Sequence, residues 1–589
     1  MVPGDTRKPG QSDQPEVPEP RRPALVSAAK RAGWQLNPPV RAMLRDLDAE
    51  LRSLDRPTVA VLTGPRGRRL DRIIAEAHPG TRVVRVDPMR ETSATHVALA
   101  AHGPFDVLVD DTRPGGKVKR FREIFGHVRS GGVLLMRCPP TEAGSGEGAT
   151  GETRDAGLRG YLARLVERPA ADTGAASGAA SRERAPELVL AESLGSVAFK
   201  ERHILARNKL GLLAKMREDE MNAVIELRSG ARARLLDSRP PREFTSQCTL
   251  RQNVEHHNHR IKQTYVAPML SLREYDDVVC VPGQVAVQGN LLLPDTYRHN
   301  QQNHLNHRFT HEATPRFARV MADISAPRPL PGTYYYLDNE LRGHFGHTMT
   351  EQMAKVWAWP MVRAAHPDVR GLLSFRRNPG RVSETEVRIF GAAGIDEDRL
   401  VTFEEPVLVE KLISATAMFS MPAYVHPDIR ESWQTIGRAL AAEAPERPYP
   451  KRIFCARRIR KRSCRNAAQV EQQFAAHGFE VVYPEEFPLA EQARMFREAD
   501  VVAGFAGSGL FTLSFCESPK RVIMISSESY TAINEYLISS VLGHEIDLFW
   551  CAPALPQPDS GYRKGAFESD FSFDFERDGD RLRKVLSST

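Results

Sequence analysis

The strongest constraint on the fold is a repeated order of segments: a short apolar run, a glycine or acidic turn, then residues at helical spacing. It begins with TVAVLTGPRG and RLDRIIAEA. It continues through TRVVRVDP, which ends at Asp87, then FDVLVDD, KRFREIFGHV and GGVLLMRCPP. ELVLAESLGSVAFKERHILARNK adds further strand-like pieces. Short strands that pair in parallel need a crossover between them, so this alternation predicts a doubly wound α/β sheet. The same order returns after about residue 333, in PDVRGLLSF, KRIFCARR, AAQVEQQFAAHGFEVVYP, LAEQARMFREADVVAGFAG and KRVIMISS. The expected fold class is therefore α/β with two Rossmann-like doubly wound regions.

The stretches between these runs suggest the domain limits. Residues 1–24, rich in proline and charge, read as a disordered tail, and residues 25–214 as the first Rossmann domain. Within it, 141–185 is rich in Gly, Ala, Ser, Thr and Glu and reads as a flexible, low-complexity insertion. Residues 215–332 are strand-rich, and 333–589 form the second alternating region.

Composition narrows the functions. The chain has 589 residues, 41% hydrophobic and 26% charged, with no apolar run long enough to span a membrane. The N-terminal segment has no apolar signal-peptide core. Seven cysteines without paired spacing fit a reducing compartment, so the expected location is cytoplasmic, with peripheral membrane association left open. The net charge is +7, yet Lys451–Arg465 alone carries eight basic residues and no acid. That run is either a solvated face or a seat for a compact anion such as a nucleotide diphosphate. Nucleic acid is not expected, because only Phe454 offers a stacking ring nearby. The histidine-rich pieces His256–His259 and His299–His311 read as polar loops. A metal reading would place His307 and His311 on one helix face, but no carboxylate partner accompanies them.

The segment ADVVAGFAGSGLFTLSF, Ala499–Phe515, runs from an apolar strand through Gly504, Gly507 and Gly509 toward a helix-like stretch. This pattern suits backbone N–H groups meeting an anion. With its flanking elements it resembles the catalytic region of glycosyltransferase family 61. The likeness is carried by Phe345-Gly346-His347 followed by TMTEQMAKVW, Ala456-Arg457 after a strand, Arg462 to Asn466, and GFEVVYPEE from Gly478 to Glu486. Glu491, Gln492, Phe496 and Ala499 follow on one helix, then VAGFAGSGL from Val502 to Leu510. The ordered match spans roughly residues 333–530. Three positions depart from the family pattern: Ala506 replaces a histidine, Ala467 an acid and Lys355 an arginine.

The resemblance implies inverting transfer of a sugar from a nucleotide-sugar donor to a glycan or glycoconjugate, in polysaccharide biosynthesis. The lack of an Asp-x-Asp pair at a strand end favours a metal-independent, GT-B-like C-terminal half. Arg457, Arg462, Asn466, Gly504, Gly507, Ser508 and Gly509 become candidate donor-binding residues. His347 and Glu351, at i and i+4, become the candidate base and its partner; a histidine bonded within the core is the alternative. His426, before a proline, reads as a turn residue. No cofactor is expected for transfer. The Asp-x-Asp strings at Asp46–Asp48, Asp396–Asp398 and Asp578–Asp580 do not follow apolar strands, where a donor-binding metal would need them. Two rival readings stay open: a scaffold with a decayed site, as Ala506 and Ala467 suggest, and a methyltransferase that recognises a glycan. Sugar, nucleotide, acceptor and oligomeric state are not encoded in these patterns.

The N-terminal half is similar to class I S-adenosylmethionine-dependent methyltransferases through TGPRG (Thr63–Gly67), Asp87, FDVLVDD with Asp110 and Asp111, and the RSGGV turn. Gly64, Gly67, Asp87 and Asp110 are the candidate S-adenosylmethionine residues. Arginines at 66, 68 and 69 crowd the following helix N-terminus with the wrong sign, which argues against binding.

Overall fold

The computed structural model describes residues 24–64, 69–88, 91–112, 116–138, 157–167, 185–228, 232–255, 258–375, 382–458 and 461–588. The expected tail, apart from Ala24, lies outside them. Contacts divide the chain into two compact units, with Leu212–Thr589 forming the bulk of the second.

The first unit contains a six-stranded sheet ordered Arg82–Val86, Thr58–Leu62, Phe105–Asp110, Val128–Arg137, His203–Asn208, Leu194–Phe199. The first four strands are parallel and the last two close the edge as an antiparallel pair. The alternation thus yields the Rossmann-like layer it predicts. The helix Pro38–Arg52 starts at Asn37, whose side chain accepts from the Val40 N–H. It buries Leu44, Leu47 and Leu51 with Val59, Val61, Val107 and Val109. One expectation changes. Inside the stretch read as a flexible insertion, Leu158–Glu167 is a helix that buries Leu158, Tyr161, Leu162 and Leu165. Four apolar residues at helical spacing outweigh the glycine-rich flanks, which lie outside the described residues.

The second unit holds two larger sheets. An eleven-stranded mixed sheet is centred on Leu270–Val281, which pairs antiparallel with Val407–Ala415. Parallel strands Arg328–Tyr336, Arg370–Ser374 and Leu400–Phe403 extend it beyond Val407–Ala415. A boundary at 332 would therefore cut through the strand Arg328–Tyr336. The other sheet is all parallel, ordered Thr249–Gln252, Glu545–Cys551, Arg521–Ser527, Val501–Phe505, Arg452–Cys455, Glu480–Val482. Gly504 lies within this sheet: a Cβ there would stand 2.6 Å from the Cys455 carbonyl oxygen, so only glycine lets these strands approach. All seven cysteines are free and buried. No helix among the described residues is long and apolar enough to cross a membrane.

Candidate active site

Two polar clusters form on neighbouring elements of the second unit. The first follows the strand Arg328–Tyr336. Where TMTEQMAKVW reads as one amphipathic helix, the winding changes along the segment. Phe345–His347 is a single α turn, Thr348–Gln352 a π-helical turn, Met353–Ala358 a 3₁₀ stretch, and Trp359–Ala365 is α again. Polar side chains compete with the regular ladder there. Thr350 Oγ1 donates to the Gly346 carbonyl at 2.8 Å, and Gln352 Nε2 donates to Glu386 Oε1 at 2.9 Å. Wide turns of this kind recur at functional sites.

His347 and Glu351 meet across that turn, Nδ1 to Oε1 at 2.8 Å. Arg298 clamps the same carboxylate, Nε to Oε2 at 2.8 Å and Nη2 to Oε1 at 2.6 Å, and Asn339 Nδ2 donates to Oε2 at 2.7 Å. Burial pushes the Glu351 carboxyl up, but the His347 hydrogen bond and the Arg298 charge outweigh it and hold it well below the usual carboxylate range. A carboxylate kept ionised on Nδ1 favours the tautomer protonated there and leaves the Nε2 lone pair free to act as a base. The His347 side chain keeps 26% of its surface exposed, so it is not a sealed core histidine. Beside Arg298 lies a polar cavity of about 360 Å³, lined also by His299, Asn306, His307, Arg308 and Glu340. His307 occupies a turn and His311 the strand Thr310–Thr314, so the two do not share a helix face.

The second cluster surrounds the glycine turn. Gly507 has φ +146°, a conformation L side chains rarely adopt, and a Cβ there would lie 3.3 Å from Arg457 Nη2 and 3.4 Å from Arg462 Nη2. Arg457 donates through Nη2 to the Ala506 carbonyl, so this position contributes its backbone where the family pattern has a histidine. Arg462 sits at φ +53°, with its guanidinium 4.4 Å from the Tyr530 ring and 5.0 Å from that of Phe567. Arg458 and Lys461 pair with Glu486 and Glu568, whereas among the described residues neither Arg457 nor Arg462 has a carboxylate ion-pair partner. Burial, then the Arg462 charge, bring the Arg457 pKa down to about 10, which leaves it cationic at neutral pH. The Gly507 N–H donates to Glu535 Oε1 at 2.5 Å. Glu535 is 1% exposed on the first turn of Asn534–Leu542, and burial raises its pKa to about 7 against the Gly507 hydrogen bond and both arginine charges.

The clusters adjoin. A Cβ on Gly346 would lie 3.2 Å from Ser508 Cβ and 3.3 Å from the Phe511 ring, so the Phe-Gly-His turn rests on the glycine turn. Ser508 and Gly509 are partly exposed at this rim.

Several expected site residues have other duties. Asn466 does not face the arginines as a donor-binding amide. Its Nδ2 donates to the Phe573 carbonyl at 2.8 Å and its Oδ1 accepts the Phe573 N–H at 2.9 Å, tying down the C-terminal segment. Gly504 belongs to the strand rather than the anion turn. His426 is buried and accepts the Asp428 N–H at 3.2 Å, a turn role. In the first unit Gly64 and Asp110 stand at the ends of adjacent parallel strands, but the Asp110 carboxylate is fully buried. It accepts from Lys117 Nζ at 2.7 Å and Thr112 Oγ1 at 2.5 Å. It is thus committed internally rather than offered to a cofactor. Asp87 follows the strand Arg82–Val86, and Gly67 lies outside the described residues. Arg298, Asn339, Tyr530 and Glu535 were not legible as site residues. The only signal for Glu535 is an acid early in a helix that follows an apolar strand.

Residues 345–523 match the family model described as Glycosyltransferase 61. The ordered motifs of the C-terminal region thus have the family they resemble, and glycosyltransferase activity is what that family implies. A search of curated proteins finds no match. Among solved structures, the chain is similar to MycE methyltransferase from the mycinamycin biosynthetic pathway in complex with Mg, SAH and mycinamycin VI. That match has 15% identity and a TM-score of 0.25, covering 32% of this chain and 55% of that one. Crystal form 2 of MycE with Mg and SAH gives 14% identity and a TM-score of 0.24, over 32% and 55% of the two chains. The chain spans about half the length of these structures.

Proposed function

We propose that the protein is an inverting, metal-independent glycosyltransferase with a GT-B-like C-terminal half. It would move a sugar from a nucleotide-sugar donor to a glycan or glycoconjugate acceptor in polysaccharide biosynthesis. The observation that carries this reading is the convergence of Arg457 and Arg462 on Gly507, beyond the carboxyl end of a parallel strand, beside the turn bearing His347. Ligands of open α/β sheets bind at such strand ends.

Arg457 and Arg462 stabilise the charge that grows on the departing diphosphate, and they are already oriented before reaction. The acceptor hydroxyl approaches through the polar cavity beside Arg298. His347 Nε2 takes its proton as the oxygen attacks the anomeric carbon, and Glu351 stabilises the resulting imidazolium. One base and one displacement invert the configuration. The missing histidine at Ala506 removes a side chain but leaves the Gly507 turn and both arginines in place.

The test is calorimetric titration of the full chain with UDP-glucose, GDP-mannose, dTDP-glucose and ADP-glucose, together with nucleotide release on turnover. Binding that weakens in Arg457→Ala by about 10–100-fold supports the reading, as expected for loss of one charge-assisted contact. Failure of all four donors to bind would overturn it. Binding without transfer or hydrolysis, with activity restored by Ala506→His, would favour a decayed scaffold.

A further inference from the structure

We infer that Glu535 is a positioning residue of the donor site whose carboxyl holds the Gly507 amide in the free protein and takes up one proton when a diphosphate joins Arg457 and Arg462. This rests on the donor site proposed above. Three observations converge on it. The carboxyl is 1% exposed, it accepts the N–H of the glycine on which both arginines close, and it is the acid whose charge acts on both guanidinium groups. The first two are geometric and stand without any titration.

Among the described residues, the charged and titratable groups that act on this site can be named. Arg457 and Arg462 approach from the segment after the strand Arg452–Cys455, and Tyr530 from the loop before its own helix. Glu485 also acts on Arg457. His344, on the neighbouring Phe-Gly-His turn, is influenced by His347, Glu351 and Lys461. In the free protein the two guanidinium charges favour the ionised carboxyl, partly offsetting its burial. A pyrophosphate diester arriving at the same arginines adds two negative charges in a site of low dielectric. That repulsion favours the neutral acid, so a proton moves from solvent to a Glu535 oxygen and nothing else changes hands. Nucleotide sugars suit this test because their pyrophosphate is doubly substituted and does not itself titrate near neutrality.

The experiment measures affinity by calorimetry from pH 6 to 9 on the full chain, with the same four nucleotide sugars, in two buffers of different ionisation enthalpy. The native protein is expected to lose affinity on the alkaline side by up to about tenfold per pH unit, with uptake of up to one proton. Glu535→Gln keeps an oxygen for the Gly507 N–H, and it should flatten the profile and bind more tightly than native protein at pH 8.5. Glu535→Asp should retain the proton uptake. Binding with no proton uptake overturns the inference while leaving the donor site intact. So does an unchanged profile in Glu535→Gln, which would assign the proton to another group. If none of the four donors binds, the donor site itself fails and the inference with it.

Discussion

Replacing Glu535 by glutamine should stabilise the unliganded protein, and only above mildly acidic pH. Its pKa rises from 4.5 in the unfolded chain to about 7 in the fold, chiefly because the carboxyl is buried. A group whose folded pKa is raised favours folding below its unfolded value and loses that contribution as pH climbs to the folded one. At about 1.36 kcal/mol per pH unit, full ionisation of Glu535 costs the fold on the order of 3 kcal/mol above pH 7. About 2 kcal/mol of this develops between pH 5.5 and 8. Glutamine has no charge to desolvate and still accepts the Gly507 N–H. Scanning calorimetry of the full chain at both pH values is the assay. The variant's advantage over native protein should grow by about 2 kcal/mol from pH 5.5 to pH 8. An advantage equal at both pH values would show that Glu535 does not titrate in this window. Uniform loss of stability would mean that glutamine breaks the packing and that the electrostatic account is wrong.

His347→Ala should lower the rate of sugar transfer about 10²–10⁴-fold while leaving nucleotide-sugar affinity nearly unchanged, since the base acts only during reaction. Steady-state kinetics with retained full turnover would move the base elsewhere. Gly507→Val should abolish donor binding. The backbone there sits at φ +146°, and the new side chain would crowd both guanidinium groups; calorimetry showing native affinity would remove this turn from the site. Transfer should persist in EDTA, because Asp46, Asp48, Asp578 and Asp580 lie within helices, and Asp396 and Asp398 precede the strand Leu400–Phe403 rather than follow one. Activity lost to EDTA and restored by Mn²⁺ would refute metal independence. S-adenosylmethionine should not bind the full chain, since Asp110 is held by Lys117 and Thr112; micromolar heats of binding would revive the methyltransferase reading.

Much of the architecture follows from the sequence alone. Alternation of short apolar runs with helical spacing dictates parallel sheets, because chain direction and crossover length are local properties. The pairing of His347 with Glu351 is legible for the same reason: four residues along a helix place two side chains on one face, and a π turn does not separate them. The strand end before Arg457 and the glycine turn at Gly507 are legible because both are local signals. Tertiary structure alone decided which polar groups answer to which. Arg298 reaches Glu351 across 53 residues, Gly507 meets Glu535 across 28, and Thr249–Gln252 crosses over to edge the sheet of Glu545–Cys551. It also withdrew Asn466 and Asp110 from their expected roles by giving each an internal partner. Periodicity reports which face a residue occupies. Whether a buried carboxylate or amide binds a ligand or its own backbone depends on what the topology packs against it, and burial makes that choice energetically binding because an unsatisfied polar group is costly.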